Sequence, residues 1–210
     1  DDYWGGAFGH PYALAKWSSL AKLAGVPVVF LSVGVCSLKS RLSRKFALRA
    51  LRIATYRAYR DAGSKELLGD ANFTHADPVY PDLAFSHPRA GQLNLGNPNR
   101  DKSHLIVGVS PITYLSPHGW PEQDAGVYER YLQMLCEFTI QVLEAVHTVI
   151  LFTSALQDGA AIRDLKARLQ QSRPNPSWAE RLRQIDQTGV DRQLDEIGGM
   201  DVIIASRLHG

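Results

Sequence analysis

Asp201-Val202-Ile203-Ile204-Ala205-Ser206-Arg207-Leu208-His209-Gly210 closes the chain, and its reading decides the fold. Residues 202–205 are apolar and mostly β-branched, with no polar alternation. That is the pattern of a strand covered on both faces inside a parallel sheet. Polar residues and a glycine follow at once. In open α/β sheets, ligands bind beyond the carboxyl ends of the strands, so residues 206–210 stand where a ligand would. Arg207 offers a planar fork suited to a carboxylate or phosphate. His209 can contact an anion or move a proton. Gly210 lets the backbone come close to a ligand. The set describes an anion pocket. The competing reading pairs Arg207 with a nearby carboxylate and makes His209 a turn residue.

Working back from this end, strand-like and helix-like segments alternate. In the first half, Pro11 opens a helix that Gly25 stops. Residues 26–34 read as an interior parallel strand. A basic amphipathic helix over 43–52 and a strand over 55–59 follow. Then comes a short helix through Leu68 capped by Ser64, and a strand pair around Phe73 and Val79. Residues 87–103 break the pattern with proline, glycine and asparagine, so a linker is placed at 91–103. The second half begins with a strand over 104–109. A helix over 124–145 carries Val127, Tyr131, Leu135, Phe138, Val142 and Val146 on one face. A strand over 148–153 leads to helices at 158–170, 177–185 and 191–197, and to the last strand. The class is α/β, with one Rossmann-like domain over 1–90 and another over 104–210. The chain begins inside a motif and stops where a helix is expected, so both domains read as truncated.

Other strand ends offer further candidates. Arg60 and Asp61 follow the strand over 55–59, as a ligand contact or as a local ion pair. Asp82, after Pro81, reads as a turn former or a cleft-facing carboxylate. Near the start, Asp2 and His10 flank Gly5, Gly6 and Gly9, where Trp4, Phe8 and Tyr12 could stack on a sugar or simply pack. Ser110 and Tyr114 begin a polar, aromatic loop that reaches His118.

Composition narrows the classes. The formal charge is +2 over 210 residues, against the strongly basic balance of most nucleic-acid binders. The arginines and lysines over 39–60 read as one solvated helix face, or as a contact for an anionic glycan, lipid head group or phosphate. Cys36 and Cys136 fall in no metal-ligand or redox spacing and read as buried free thiols, which fits a reducing cytosol. No apolar run reaches the ~18–20 residues of a membrane span. The histidines show no metal-binding spacing. There is neither a Walker A loop nor a nucleophile elbow.

Taken in order, residues 31–35, Tyr59-Arg60-Asp61 with Ser64, residues 80–85, residues 107–111 and above all residues 201–210 resemble the polysaccharide pyruvyl transferase family. The resemblance covers nearly the whole chain. It implies a GT-B-like pair of Rossmann-type domains with the active site in the cleft between them. The implied reaction moves the enolpyruvyl unit of phosphoenolpyruvate onto a sugar as a ketal, with no cofactor. Arg207 and His209 would bind phosphoenolpyruvate, with Leu208 contributing backbone. His209 is also placed in proton transfer, with Asp61, Asp2 or His10 open as the base. Gly210, Arg60, Ser110 and Tyr114 are expected at the substrates. The implied partners are phosphoenolpyruvate and a saccharide or lipid-linked oligosaccharide acceptor. A cytoplasmic location at the inner face of a membrane is expected with them. One departure stands out. Some members carry an arginine after the first strand of the second domain, where this chain has Ser110-Pro111-Ile112. Two rivals are a nucleotide-sugar glycosyltransferase or epimerase on the same fold, and a catalytically silent carbohydrate-binding relative.

Overall fold

The computed structural model describes residues 5–36, 38, 40–69, 73, 75–88, 103–120, 122–153, 155–185 and 189–207. The chain divides into two compact units, Asp1–Ala90 and Gly91–Gly210. Both are α/β, with parallel strands and helices between them.

In the first unit, α1 (His10–Leu23) leads to β1 (Val29–Val33), α2 (Arg41–Ile53), β2 (Tyr56–Tyr59) and α3 (Ala62–Gly69). Helix α1 carries Pro11 in its first turn. It ends in a Schellman turn, with Gly25 at φ 71° and Val26 N–H bonded to the Ala21 carbonyl at 2.9 Å. Strands β1 and β2 pair in parallel from Val29 opposite Tyr56 to Val33 opposite Tyr59. The register slips between Phe30 and Val33. There Ser32 takes φ 49° and its hydroxyl donates to the Pro81 carbonyl at 3.1 Å. Leu48, Leu51, Tyr59, Leu68 and Phe73 form the core.

The interior placement of the first strand is corrected. With one hydrogen-bonded neighbour among the described residues, β1 leaves Val29 and Leu31 exposed. Nor do the described residues near Phe73 form a strand pair. Val79 makes a single bridge to Tyr59, while Phe73 is a core side chain. Ser64 does not cap α3. Its backbone N–H is received by Asp61 at 2.6 Å, and its own buried hydroxyl accepts Val35 N–H at 2.9 Å. Cys36 is exposed, whereas Cys136 is buried.

The second unit holds β3 (Ile106–Ser110), α4 (Ala125–Glu144), β4 (Thr148–Leu151), α5 (Gly159–Ser172), β5 (Leu182–Gln184), α6 (Val190–Gly198) and β6 (Val202–Ala205). The sheet runs β5-β4-β3-β6, all parallel. The chain moves outward from β3 to β5, then crosses back to place β6 on the other side of β3. That reversal creates a topological switch point between the carboxyl ends of β3 and β6, the usual ligand site of such sheets. Val109, Leu132, Leu143, Leu151, Ile162 and Leu165 anchor the core on one side. Phe152 and Met200 pack on the other. Gly108 is required there, because a Cβ would collide with the Met200 sulphur.

Three expectations change in this unit. The buried stripe of α4 is Tyr128, Leu132, Cys136, Thr139 and Leu143, one position on from the row expected. The expected row flanks it, and Val146 lies beyond the helix at φ 66°, exposed. Residues 177–185 are no helix. A 3-10 turn buries Trp178, and β5 then pairs with β4, so strand pairing overrides local propensity. Strand β6 is not the covered interior strand expected: it has a neighbour on one side only among the described residues, and Val202 and Ile203 are exposed.

Candidate functional site

The end of β3 and the end of β6 meet in register, Ser110 opposite Ala205. The Ser110 carbonyl accepts Ser206 N–H at 3.2 Å. Chain order therefore puts Ser110 on one side of the switch point and Ser206 and Arg207 on the other. Two of the expected site residues, Ser110 and Arg207, are thus brought to one place.

Arg207 is braced from within. Its Nε and Nη2 donate to the two oxygens of Asp158, the second at 3.1 Å. Asp158 is 1% exposed, at the end of the 3-10 turn that precedes α5. Its Oδ1 also accepts both the backbone N–H and the hydroxyl of Thr113, each at 3.1 Å. The carboxylate thus ties the segment after β4 to the loop after β3. The bond to Asp158 raises the pKa of the guanidinium still further. Asp158 takes the side edge of Arg207. The end edge, formed by Nη1 and Nη2, has no partner among the described residues and retains the paired donors that suit a second anion.

Two hydroxyls complete the surroundings. Tyr131 OH accepts Ile112 N–H at 3.0 Å and shares a hydrogen bond with Ser206 Oγ at 2.9 Å. Burial raises its pKa. Ser110 Oγ is buried and lacks a hydrogen-bond partner among the described residues. A buried hydroxyl left unpaired costs about 1–3 kcal/mol, a cost that a ligand could relieve. Tyr114 is exposed and meets Trp120 edge-on at 5.6 Å. His118 lies apart from Arg207, with Nε2 3.8 Å from Asp164 Oδ2, which also accepts the Tyr128 hydroxyl at 2.8 Å.

The first unit repeats the theme at the end of β2. Arg60 lies 3.5 Å from Asp61 through Nε and 3.4 Å from Asp82 through Nη1. Gly34, after β1, makes room for the guanidinium, which a Cβ would overlap. The Asp61 pKa is lowered first by Ser64 N–H and then by the Ser64 hydroxyl and Arg60. A carboxylate held ionised this way is a weak base. Asp82 Oδ1 receives Ala84 N–H at 3.0 Å, so it both forms the turn and pairs with Arg60. His10 opens α1 and lines an apolar depression with Leu14, Trp17, Pro27 and Phe30. Phe8 and Tyr12 pack with Phe46. Trp4, Asp2, Leu208, His209 and Gly210 lie outside the described residues.

The sequence reading missed Asp158, Thr113 and Tyr131. It treated Asp158 as the first residue of a helix; an acid just past a buried strand was the available signal. It also missed Arg57 and Asp77, a half-hidden bidentate pair at 2.9 and 3.1 Å. Burial opposes ionisation of Asp77, but Arg57 more than offsets it and the pKa falls. Burial, with Asp77 alongside, pushes the Tyr59 phenol up to about 12.

Among the described residues, no group of three or more histidine, cysteine, aspartate or glutamate side chains is placed to hold a metal ion. No helix there is long and apolar enough to cross a membrane. No curated protein matches the chain. The family model described as polysaccharide pyruvyl transferase matches residues 2–210. That match spans nearly the whole chain, which belongs to the polysaccharide pyruvyl transferase family.

Proposed function

We propose that the chain binds phosphoenolpyruvate at the switch point of its second unit and transfers the pyruvyl group to a saccharide as a ketal. The observation that carries this reading is the geometry of Arg207. A buried carboxylate fixes its plane and leaves its end edge to grip a phosphate or carboxylate. The Ser110 hydroxyl, buried and unpaired among the described residues, supports it.

Protonation of the methylene carbon leaves positive charge at C2. One sugar hydroxyl adds there and gives up its proton. The C2–O bond to phosphate then breaks, and phosphate leaves with the electron pair. A second hydroxyl closes on C2 and releases the last proton. The products are a cyclic ketal and inorganic phosphate. Arg207 offsets charge on the donor. His209 moves a proton or contacts the phosphate, while Leu208 and Gly210 bring backbone close to the donor. Ser110 and Tyr114 face the substrates. Arg60 contacts the acceptor, and Asp61, Asp2 or His10 takes the hydroxyl protons. The acceptor is a free or lipid-linked saccharide, modified on the cytoplasmic side of a membrane for an extracellular polysaccharide.

The test is phosphate release from phosphoenolpyruvate in the presence of candidate saccharides, with the product's ketal methyl followed by NMR. Release should depend on a saccharide and fall at least ~100-fold in His209→Ala, the scale of general acid–base contributions. Turnover of a nucleotide-sugar in place of phosphoenolpyruvate would move the chain to glycosyl transfer.

A further inference from the structure

The paired helices of the first unit carry a surface that the donor reading does not use. Between Asp2 and Asp61 the sequence holds no aspartate or glutamate, while lysine and arginine recur throughout. Helix α2 shows Arg41, Lys45, Arg49 and Arg52 at i, i+4, i+8 and i+11. That spacing confines them to about 80° of arc along about 16 Å of helix. All four are exposed, while Ser43, Ala50 and Leu51 turn inward. No carboxylate pairs with any of the four among the described residues. Like charges at i, i+4 weaken a helix, so the stripe has a local cost that no carboxylate among the described residues offsets.

Beside the stripe, α1 presents Lys16, Leu20 and Leu23 at i, i+4 and i+7. Leu20 is 46% exposed and Leu23 84%. The two helices are joined by Arg49 Nε donating to Ser19 Oγ at 3.1 Å and by the rings of Tyr12 and Phe46, 5.5 Å apart. A single exposed leucine is ordinary. A leucine ridge flanking unneutralised cations is the composition of a surface that lies in a membrane interface. A soluble polyanion would use the cations and leave the leucines without a role.

We propose that the α1–α2 face of the first unit docks on an anionic lipid bilayer. Arg41, Lys45, Arg49 and Arg52 meet the head groups, and Leu20 and Leu23 enter the interface. The proposal is independent of the donor site, since its test contains no phosphoenolpyruvate.

The test is co-sedimentation of the full chain with phosphatidylcholine vesicles, with and without phosphatidylglycerol. The parent should sediment with the anionic vesicles alone and be released by salt. At about fivefold per cation lost from an anionic surface, Arg41→Gln with Lys45→Gln should bind roughly 25-fold more weakly. Leu20→Ser with Leu23→Ser should also weaken vesicle binding, yet leave retention on heparin unchanged. Thermal melting checks that each variant is folded, and Arg41→Gln with Arg52→Gln replaces any that is not. Equal binding to both vesicle types, or parent-like binding by the cation variants, overturns the proposal. Loss of the leucines without effect on vesicles, together with cation-dependent heparin retention, overturns it in favour of a soluble polyanion.

Discussion

Each unit sets an arginine at the carboxyl end of a parallel strand and braces it with aspartate, but the two braces differ in kind. Asp158 is 1% exposed and is held by Thr113 before it meets Arg207. Arg60 leans on Asp61 and Asp82, whose side chains are 50% and 22% exposed. A buried carboxylate with its lone pairs occupied holds a guanidinium in one plane. Carboxylates that are exposed or half-buried, at 3.4–3.5 Å, let it move. The first arrangement suits a fixed anion grip, and the second suits a contact that adapts.

Removing each brace would show the contrast at its largest. Asp158→Ala leaves Arg207 and Thr113 facing a vacated buried site. Loss of one partner from such a pair costs about 3–5 kcal/mol, so denaturant melts should show a shift of that size. Asp82→Ala, at a pair partly open to solvent, should cost about 0–1 kcal/mol. Equal costs would erase the distinction.

Two glycines sharpen it. Gly108→Ala drives a methyl into the Met200 sulphur and the Phe152 ring inside the sheet packing. Overpacking of that kind costs about 1–3 kcal/mol. Gly34→Ala meets only the guanidinium of Arg60, a flexible end that can swing away. It should cost less stability than Gly108→Ala while displacing Arg60 from Asp82.

The smallest effect is in acid. The folded pKa of Asp61 lies below its ordinary value. Its contribution is therefore complete above the unfolded carboxylate value and is lost as pH falls through the folded one. Circular dichroism followed into acid should show Asp61→Asn with a flatter stability profile than the parent in that window. An unchanged profile would mean that Asp61 does not hold the start of α3.

The alternation of strands and helices was legible because buried parallel strands are continuous apolar runs. Residues 202–205 form a strand where expected, although Val202 and Ile203 are exposed rather than covered, and the ends of α1 and α4 lay within a residue or so. What failed were statements about neighbours. A run such as Val29–Val33 looks the same at an edge as in the interior. On α4 the small polar Thr139 sits in the buried row, which hid the row that faces the sheet. Residues 177–185 carry helix formers but pair as a strand because β4 offers an edge. The two ends of the switch point were legible as residues 110 and 206–207. Their brace was not, because Asp158 lies 49 residues from Arg207 and only the crossover back to β6 brings them together.

The account rests on Arg207 as the donor's anchor. The most direct measurement is calorimetric titration of phosphoenolpyruvate into the protein, beside its Arg207→Ala and Arg60→Ala variants. The account predicts binding by the parent, loss in Arg207→Ala and retention in Arg60→Ala. Parent-like binding by Arg207→Ala, or loss in Arg60→Ala alone, would contradict it.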